Sequence, residues 1–354
     1  MGEGLGGTVV YRIHFTLEDL ARTRVAEPPP LLELSAALRT LREPGHPVRF
    51  GAWRHAVRDA LDPRARMVLE LVPPGGWAPT FLTSSAHGSA QELLERVRAT
   101  PRAVVRADLA HVAEWQRLPR WAHRLPEDAA LLGRLCDALE HVHAVLLAPY
   151  WAHVTAVAGT DRGLRTRQAV GGGMDRMLAS LQPRRIRWNP PVLEIAMLSG
   201  FDGDLHLGGR GLLLVPSVFG AAAPAVDIDA EPQPVLRYPA GTEQSPGPLP
   251  GAAAPSGSVP GRARSPLASL LGRTRAAVLS AIAENPGCST KELAALLGIA
   301  PPSASEHATT LREARLIDTV RDRNTVLHSP TALGITLLDH EPGPHRAGAG
   351  TRGA

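Results

Sequence analysis

From Thr8 to Phe15 apolar and polar side chains alternate, the period of two that a half-buried strand requires. Thr16 then caps a helix, with Asp19 in the capping-box position that Glu or Gln usually fills. The period lengthens to that of amphipathic helices at Leu31 to Leu41, Trp53 to Leu61, Ala90 to Ala99 and Val104 to Trp115. The longest helical pattern runs from about Glu127 to Ala158, with Leu131, Leu135, Leu139, Val142 and Leu146 on one stripe. Pro149 is expected to bend or end it. Beyond Gly171-Gly172-Gly173 short strand-like runs return at Arg185 to Trp188, Val192 to Met197, Asp204 to Leu207, Leu212 to Val215 and Val235 to Tyr238. Gly and Asp-Gly turns separate several of them. This pattern predicts an α+β fold, with a mixed N-terminal domain over residues 1–238.

The pattern lapses over residues 239–265, which are Pro, Gly, Ala and Ser with almost no large apolar side chains. Such a stretch cannot bury enough surface to order itself and reads as a flexible linker. Residues 341–354 have the same texture and read as a disordered tail. Between them, residues 266–340 regain a regular pattern. Leu267, Leu270 and Leu271 mark a first short helix. Thr274 is the expected cap of a second, whose Val278, Leu279 and Ile282 form a buried stripe. Asn285-Pro286-Gly287 ends that helix. Ser289 and Glu292 form a capping box for a third helix that buries Leu293, Leu296 and Leu297. Gly298 supplies a turn, and Pro301 suits the first position of a fourth helix.

At 100° per residue, Ala304, Ala308 and Leu311 of the fourth helix share one side and are expected to pack inward. Pro302, Glu306, Thr309 and Glu313 lie opposite, flanked by Ser303, Ser305 and Thr310. A short-chained, hydroxyl-rich face lets a helix approach base edges closely, and Glu306 suits a cytosine amino group. Leu316 to Val320 and Thr325 to His328 then make two strands around Arg321-Asp322-Arg323-Asn324, with Arg321 and Arg323 expected at the hairpin tip. Arginines there suit phosphate or minor-groove contact. Thr331 to Asp339 forms a last, strongly apolar helix. The candidate DNA-binding set is Lys291, Pro302, Ser303, Ser305, Glu306, His307, Thr309, Thr310, Arg312, Arg321, Arg323 and Asn324. Helix, tight turn, helix and hairpin in that order is a winged helix-turn-helix.

Leu293-Ala-Ala-Leu-Leu-Gly-Ile-Ala-Pro-Pro-Ser-Ala-Ser-Glu-His-Ala-Thr-Thr-Leu-Arg-Glu-Ala-Arg-Leu-Ile317 resembles the ArsR-type winged helix-turn-helix of bacterial repressors. The resemblance runs without a gap into the wing and covers Pro266 to His340. It implies a cytoplasmic transcriptional regulator, a homodimer joined through its first and last helices. Its DNA would be a near-palindromic operator with half-sites about 34 Å apart. Three positions depart from the family pattern. Ala300 stands where a Ser cap is frequent, an expected loss of about 1 kcal/mol. Glu306 replaces a common basic residue, and Arg315 stands where Gly usually closes the helix. Metal-sensing members carry cysteine pairs or His and Asp ligands; here Cys288 is solitary and no metal is expected.

The chain has 354 residues, 44% hydrophobic, enough for two domains with sizeable cores. Its net charge of +4 permits nucleic-acid binding without requiring it, and Lys291 is the only lysine. Cys136 and Cys288 fall in different expected domains, which fits a reducing compartment rather than a disulfide framework. Charges or prolines interrupt every apolar run before membrane-spanning length, and no signal peptide is visible at the N-terminus. His141 and His143 face apart on a helix and cannot chelate. His206 with Asp202 and Asp204 reads better as a turn than as a metal site. Gly171-Gly-Gly-Met-Asp lacks the Lys-Ser/Thr end of a phosphate loop, and no Gly-x-Ser-x-Gly or His-Glu-x-x-His occurs. No catalytic residues and no cofactor are therefore expected. The six tryptophans read mainly as core, with a ligand pocket as the lesser alternative. The leading reading is a DNA-binding regulator whose N-terminal domain senses a small-molecule effector, binds a partner or drives dimerisation. The rivals are an enzymatic or ligand-binding N-terminal domain with an appended regulatory winged helix, and a winged helix that binds protein.

Overall fold

The computed structural model describes residues 10–43, 45–182, 185–197, 202–221, 223–240, 249, 266–322 and 325–339. It divides into two compact units, one of Met1–Glu43 and Ala60–Thr242, the other of Pro44–Asp59 and Glu243–Ala354. Chain order begins β1 (Tyr11–His14), α1 (Leu17–Arg22), β2 (Arg24–Val25), α2 (Pro30–Arg42) and α3 (Pro47–Ala60). It continues α4 (Ala65–Leu71), α5 (Ala90–Arg98), α6 (Arg102–Trp115), α7 (Ala129–Leu146) and α8 (Trp151–Ala179). Six strands follow: β3 (Ile186–Asn189), β4 (Val192–Ile195), β5 (Gly203–His206), β6 (Leu213–Ser217), β7 (Ala225–Asp227) and β8 (Val235–Pro239).

In the first unit these strands form two four-stranded sheets, ordered β3-β4-β1-β5 and β2-β6-β8-β7. The expected mixed α+β class is thus what the chain adopts. In the first sheet β1 pairs antiparallel with β4 and parallel with β5. One core draws Ile13, Leu193 and Ile195 together with Leu214, Leu236 and Tyr238 of the other sheet and Met177 and Leu178 of α8. On the other face of the second sheet, Leu213, Val215 and Val235 pack against Leu32 of α2. The capping box expected at Thr16 forms, with Asp19 Oδ2 accepting from the Thr16 amide at 2.8 Å.

Buried charges join distant segments of this unit. Glu33, fully enclosed on α2, accepts from the Val218 and Phe219 amides, each at 2.8 Å, and from Ser217 Oγ at 2.6 Å. Burial pushes its carboxyl upward against the pull of these donors. On α8, Asp161 pairs with Arg165 at 3.0 Å and accepts from Tyr238 Oη at 2.5 Å.

The stretch Ala129–Ala179 contains a segment long and apolar enough, by length and composition alone, to cross a membrane. The sequence expectation that charge or proline interrupts every such run rests here on Pro149, because residues 141–160 carry no Asp, Glu, Lys or Arg. Pro149 ends α7 through a short 3-10 turn, Ala148–Tyr150, and α8 starts beyond it. Leu135, Leu139, Val142, Leu146 and Val154 are at most 1% exposed, so the stripe belongs to the protein's own core. The expected glycine break falls inside α8, where Gly172 and Gly173 leave helical geometry before Met174 resumes it.

The second unit adds α9 (Pro266–Leu271), α10 (Arg273–Glu284), β9 (Cys288–Ser289), α11 (Thr290–Leu297), α12 (Pro301–Glu313), β10 (Ile317–Asp322), β11 (Thr325–Pro330) and α13 (Ala332–Asp339). Its core includes Val278, Leu279, Ile282, Leu293, Ala304, Ala308 and Leu311. The sheet order is β10-β11-β9, all antiparallel. Gly334 on α13 lies so close to the strand entrance that an added Cβ would come within 2.1 Å of the Leu316 carbonyl oxygen.

Three expectations change here. Thr274 is not the cap of α10. That helix starts two residues earlier than such a cap would place it, with Gly272 at the cap and no side-chain bond to it. The segment containing α3 groups with the C-terminal helices instead of extending an unbroken N-terminal domain. The reason is Glu284 at the end of α10, which accepts from the Val48 amide at 3.0 Å and the Arg49 amide at 3.1 Å, while His46 Nδ1 lies 3.2 Å away. A carboxylate on these first-turn amides caps α3 from another helix. Within the expected linker, Pro239 ends β8, Ala240 is 4% exposed with its amide on the Ser217 carbonyl at 2.8 Å, and Leu249 is 1% exposed with its amide on the Arg49 carbonyl at 3.4 Å. The remainder of 241–265 and the tail from 340 lie outside the described residues.

Candidate nucleic-acid interface

The turn between α11 and α12 is built from its own residues. Ser289 Oγ receives the Glu292 amide at 3.2 Å, and Glu292 Oε2 receives the Ser289 amide at 2.8 Å, so the sequence-read capping box starts α11. Gly298 closes it in the left-handed region at φ +62°, and Ile299 bonds back to Ala294 O at 3.1 Å. At α12, Ala300 caps without a side-chain bond. The cost is smaller than its identity alone implies. Pro302, at the second helical position, has no N–H, so of the two amides a Ser cap can serve only that of Ser303 exists.

Along α12, Ala304, Ala308 and Leu311 are at most 2% exposed. Pro302, Ser305, Glu306, Thr309, Arg312 and Glu313 face outward, and Ser303, His307 and Thr310 are half-buried. The face-by-face reading of this helix therefore matches the structure. Two hydroxyls are already engaged: Thr309 Oγ1 donates to Ser305 O at 2.9 Å, and Thr310 Oγ1 to Glu306 O at 3.1 Å. A phosphate oxygen only accepts, so these threonines can meet it only by giving up those bonds. Their lone pairs remain available to a base amino group. Lys291 on α11 is exposed.

The hairpin requires a correction. Arg321 lies within β10, paired with Val326, and not at the tip. Strand pairing continues to Asp322 and Thr325. Arg323 and Asn324, the rest of the expected tip, lie outside the described residues. Arg321 is exposed on a strand that leads to that tip.

Sequence reasoning passed over His328, which ties the wing to α11. It is 4% exposed, with Nε2 2.9 Å from Thr290 Oγ1 of α11 and Nδ1 3.3 Å from Thr319 Oγ1 of β10. Burial first, then the nearby Arg312 charge, holds its pKa below the ordinary value. Arg315 confirms its expected oddity, with φ at +57° where glycine is favoured. The Arg315 amide bonds Arg312 O at 2.9 Å and the Leu316 amide bonds Leu311 O at 2.9 Å, the paired closure of a Schellman end.

An exposed polar helix face, a capped helix before it and a two-stranded wing after it form a winged helix-turn-helix. Residues 271–325 match the MarR family model. The C-terminal unit thus carries the MarR-type winged helix of a DNA-binding transcriptional regulator. The sequence resembles the ArsR family, and the match names a related family instead, so the shared winged-helix architecture is what stands. Comparison of the whole chain with curated proteins and with solved structures gives no significant match. Among the described residues, no group of three or more His, Cys, Asp or Glu side chains is arranged to hold a metal ion.

Proposed function

We propose that this chain is a cytoplasmic, non-enzymatic repressor that binds a near-palindromic operator as a homodimer, with α12 in the major groove and the wing on the flanking backbone. The carrying observation is the polarity of α12. Its apolar side is sealed into the core, and its opposite side offers short polar chains and Arg312 to solvent. That division lets the helix enter a groove without opening the core. Support for a dimer comes from α9 and α13, which leave Leu270 71% and Leu333 56% exposed. Apolar side chains on first and last helices are what a helical dimer seam would cover. The first unit would sense the effector.

Footprinting of the full chain on its own upstream DNA tests this. The expected result is a two-fold protected site whose affinity falls steeply with salt, because phosphate contacts release counterions. Changing Arg321 and Arg323 together to Ala is expected to weaken binding to all sequences alike and to flatten the salt slope by about 2. Absence of a protected site at low salt overturns the proposal.

A further inference from the structure

The first unit has a half-open cavity of about 440 Å³, within the range of small-molecule sites. Its walls come from α2, the loop at Pro74–Ala78, the end of α6 and the β6–β8 region. Aromatic surface is concentrated on one side. Trp77 and Trp115 stack with centroids 5.6 Å apart, and both line the space. Gln116 fixes the loop by accepting from the Trp77 amide at 3.0 Å and donating to its carbonyl at 2.7 Å. Arg39 donates to Pro74 O at 3.1 Å and anchors the same loop from α2. The wall is thus held in place from two directions.

Cationic groups sit against this apolar surface. Arg39 and Arg237 both line the cavity, close enough that each charge opposes the other on Arg39. Burial and that repulsion pull Arg39 down to about 10, which still leaves it charged at neutral pH. Arg237 is only 9% exposed and reaches Leu32 O at a long 3.5 Å, while its Nε has no hydrogen-bond partner among the described residues. The carboxylates nearby do not absorb this donor. Glu33 attracts Arg237 but spends its oxygens on Ser217, Val218 and Phe219. Glu43 attracts both arginines through space, and Asp227, also on the wall, accepts from the Asp229 and Ala230 amides. A buried guanidinium N–H left without an acceptor is a costly arrangement. It becomes favourable when an anion of matching geometry arrives.

We propose that this cavity is a binding site for a small organic carboxylate with an apolar or aromatic body, its carboxylate on Arg237 and Arg39 and its body against Trp77 and Phe219. The inference concerns the first unit alone and stands independently of what the winged helix binds.

The test uses the full-length chain and four probes: phenylpropionate and decanoate, each beside its primary amide. Calorimetry and the tryptophan emission of the Trp77–Trp115 pair report binding. Both acids are expected to bind and to raise the Tm, with a preference over their amides of at least about tenfold from the charge-assisted bonds. R237Q is expected to erase that preference, and W77A to weaken acids and amides together. Should R237Q fail to fold, the acid-to-amide ratio on the unaltered chain decides by itself. Equal affinity for acid and amide, or no binding by any probe, overturns the proposal.

Discussion

Each unit contains a buried glutamate that receives two consecutive backbone amides from a remote segment, yet the two glutamates stand in different settings. In the first unit Glu33 holds Val218 and Phe219, more than 180 positions along the chain, and adds the Ser217 hydroxyl. In the second, Glu284 holds Val48 and Arg49, with His46 beside them. Glu33 acts where two chain segments meet under a sheet. Glu284 acts as a helix cap supplied from another helix. Glu33 serves three buried donors where Glu284 serves two amides, so its loss leaves more groups without an acceptor. Elsewhere the second unit adds devices that act over a few residues, a capping box, a glycine turn and a Schellman closure, beside the longer-range His328 contacts.

The sharpest way to break this comparison is to remove both carboxylates in turn. Glu33→Ala is expected to cost about 4 kcal/mol, since three buried donors lose their acceptor and Arg237 loses its nearest compensating charge. Denaturant titration measures the loss, and hydrogen exchange should quicken first at Val218 and Phe219. Glu284→Ala is expected to cost less, about 2 to 3 kcal/mol, with exchange quickening at Val48 and Arg49. Equal costs, or exchange rising uniformly over both units, would show that the two settings are energetically the same.

The same contrast explains what could be read from the chain in advance. The ends of α11, the inward triad of α12 and the Thr16–Asp19 box are written in residues three or four apart, so periodicity and capping chemistry reveal them. Glu284 looked like an ordinary charge at a helix end, because its partners lie 235 and 236 positions away. Strands β2 and β7, of two and three residues, carry no periodicity of their own and exist only through pairing with β6 and β8. Helix α4, at seven residues, is too short to show a stripe, and its location was missed. The cavity is invisible for the same reason. Arg39, Trp77, Trp115 and Arg237 come from four separate stretches, and the tryptophans read mainly as core although Trp115 is 52% exposed and both Trp77 and Trp115 line the cavity.

Within the second unit, His328 offers a smaller and pH-dependent effect. Its folded pKa lies below the ordinary 6.5, so the unfolded chain takes up the proton first as pH falls. The stability this group contributes is therefore complete above about pH 6.5 and is lost as pH falls from there through the lowered folded value. Thermal melts between pH 7.5 and 5 are expected to show the winged-helix unit weakening, and His328→Gln should remove that part of the slope. A slope unchanged by the substitution would place the titration elsewhere.

The smallest effect runs in the opposite direction. Arg315 holds φ +57° at the end of α12, where a Cβ crowds the preceding carbonyl and glycine does not. Its side chain is exposed, and its bonds to Arg312 and Thr331 are made by backbone atoms that glycine keeps. Relief of the strain is worth about 1 to 2 kcal/mol, and the greater freedom of glycine in the unfolded chain takes back about 0.4 to 1. Arg315→Gly is thus expected to stabilise the unit by about 0.5 to 1 kcal/mol in denaturant titrations. Arg315→Ala separates backbone from charge: it removes the guanidinium but keeps the Cβ, and no gain is expected. Equal gains from both substitutions would move the cause from the backbone to the guanidinium charge, and the left-handed closure of α12 would then be carried without strain.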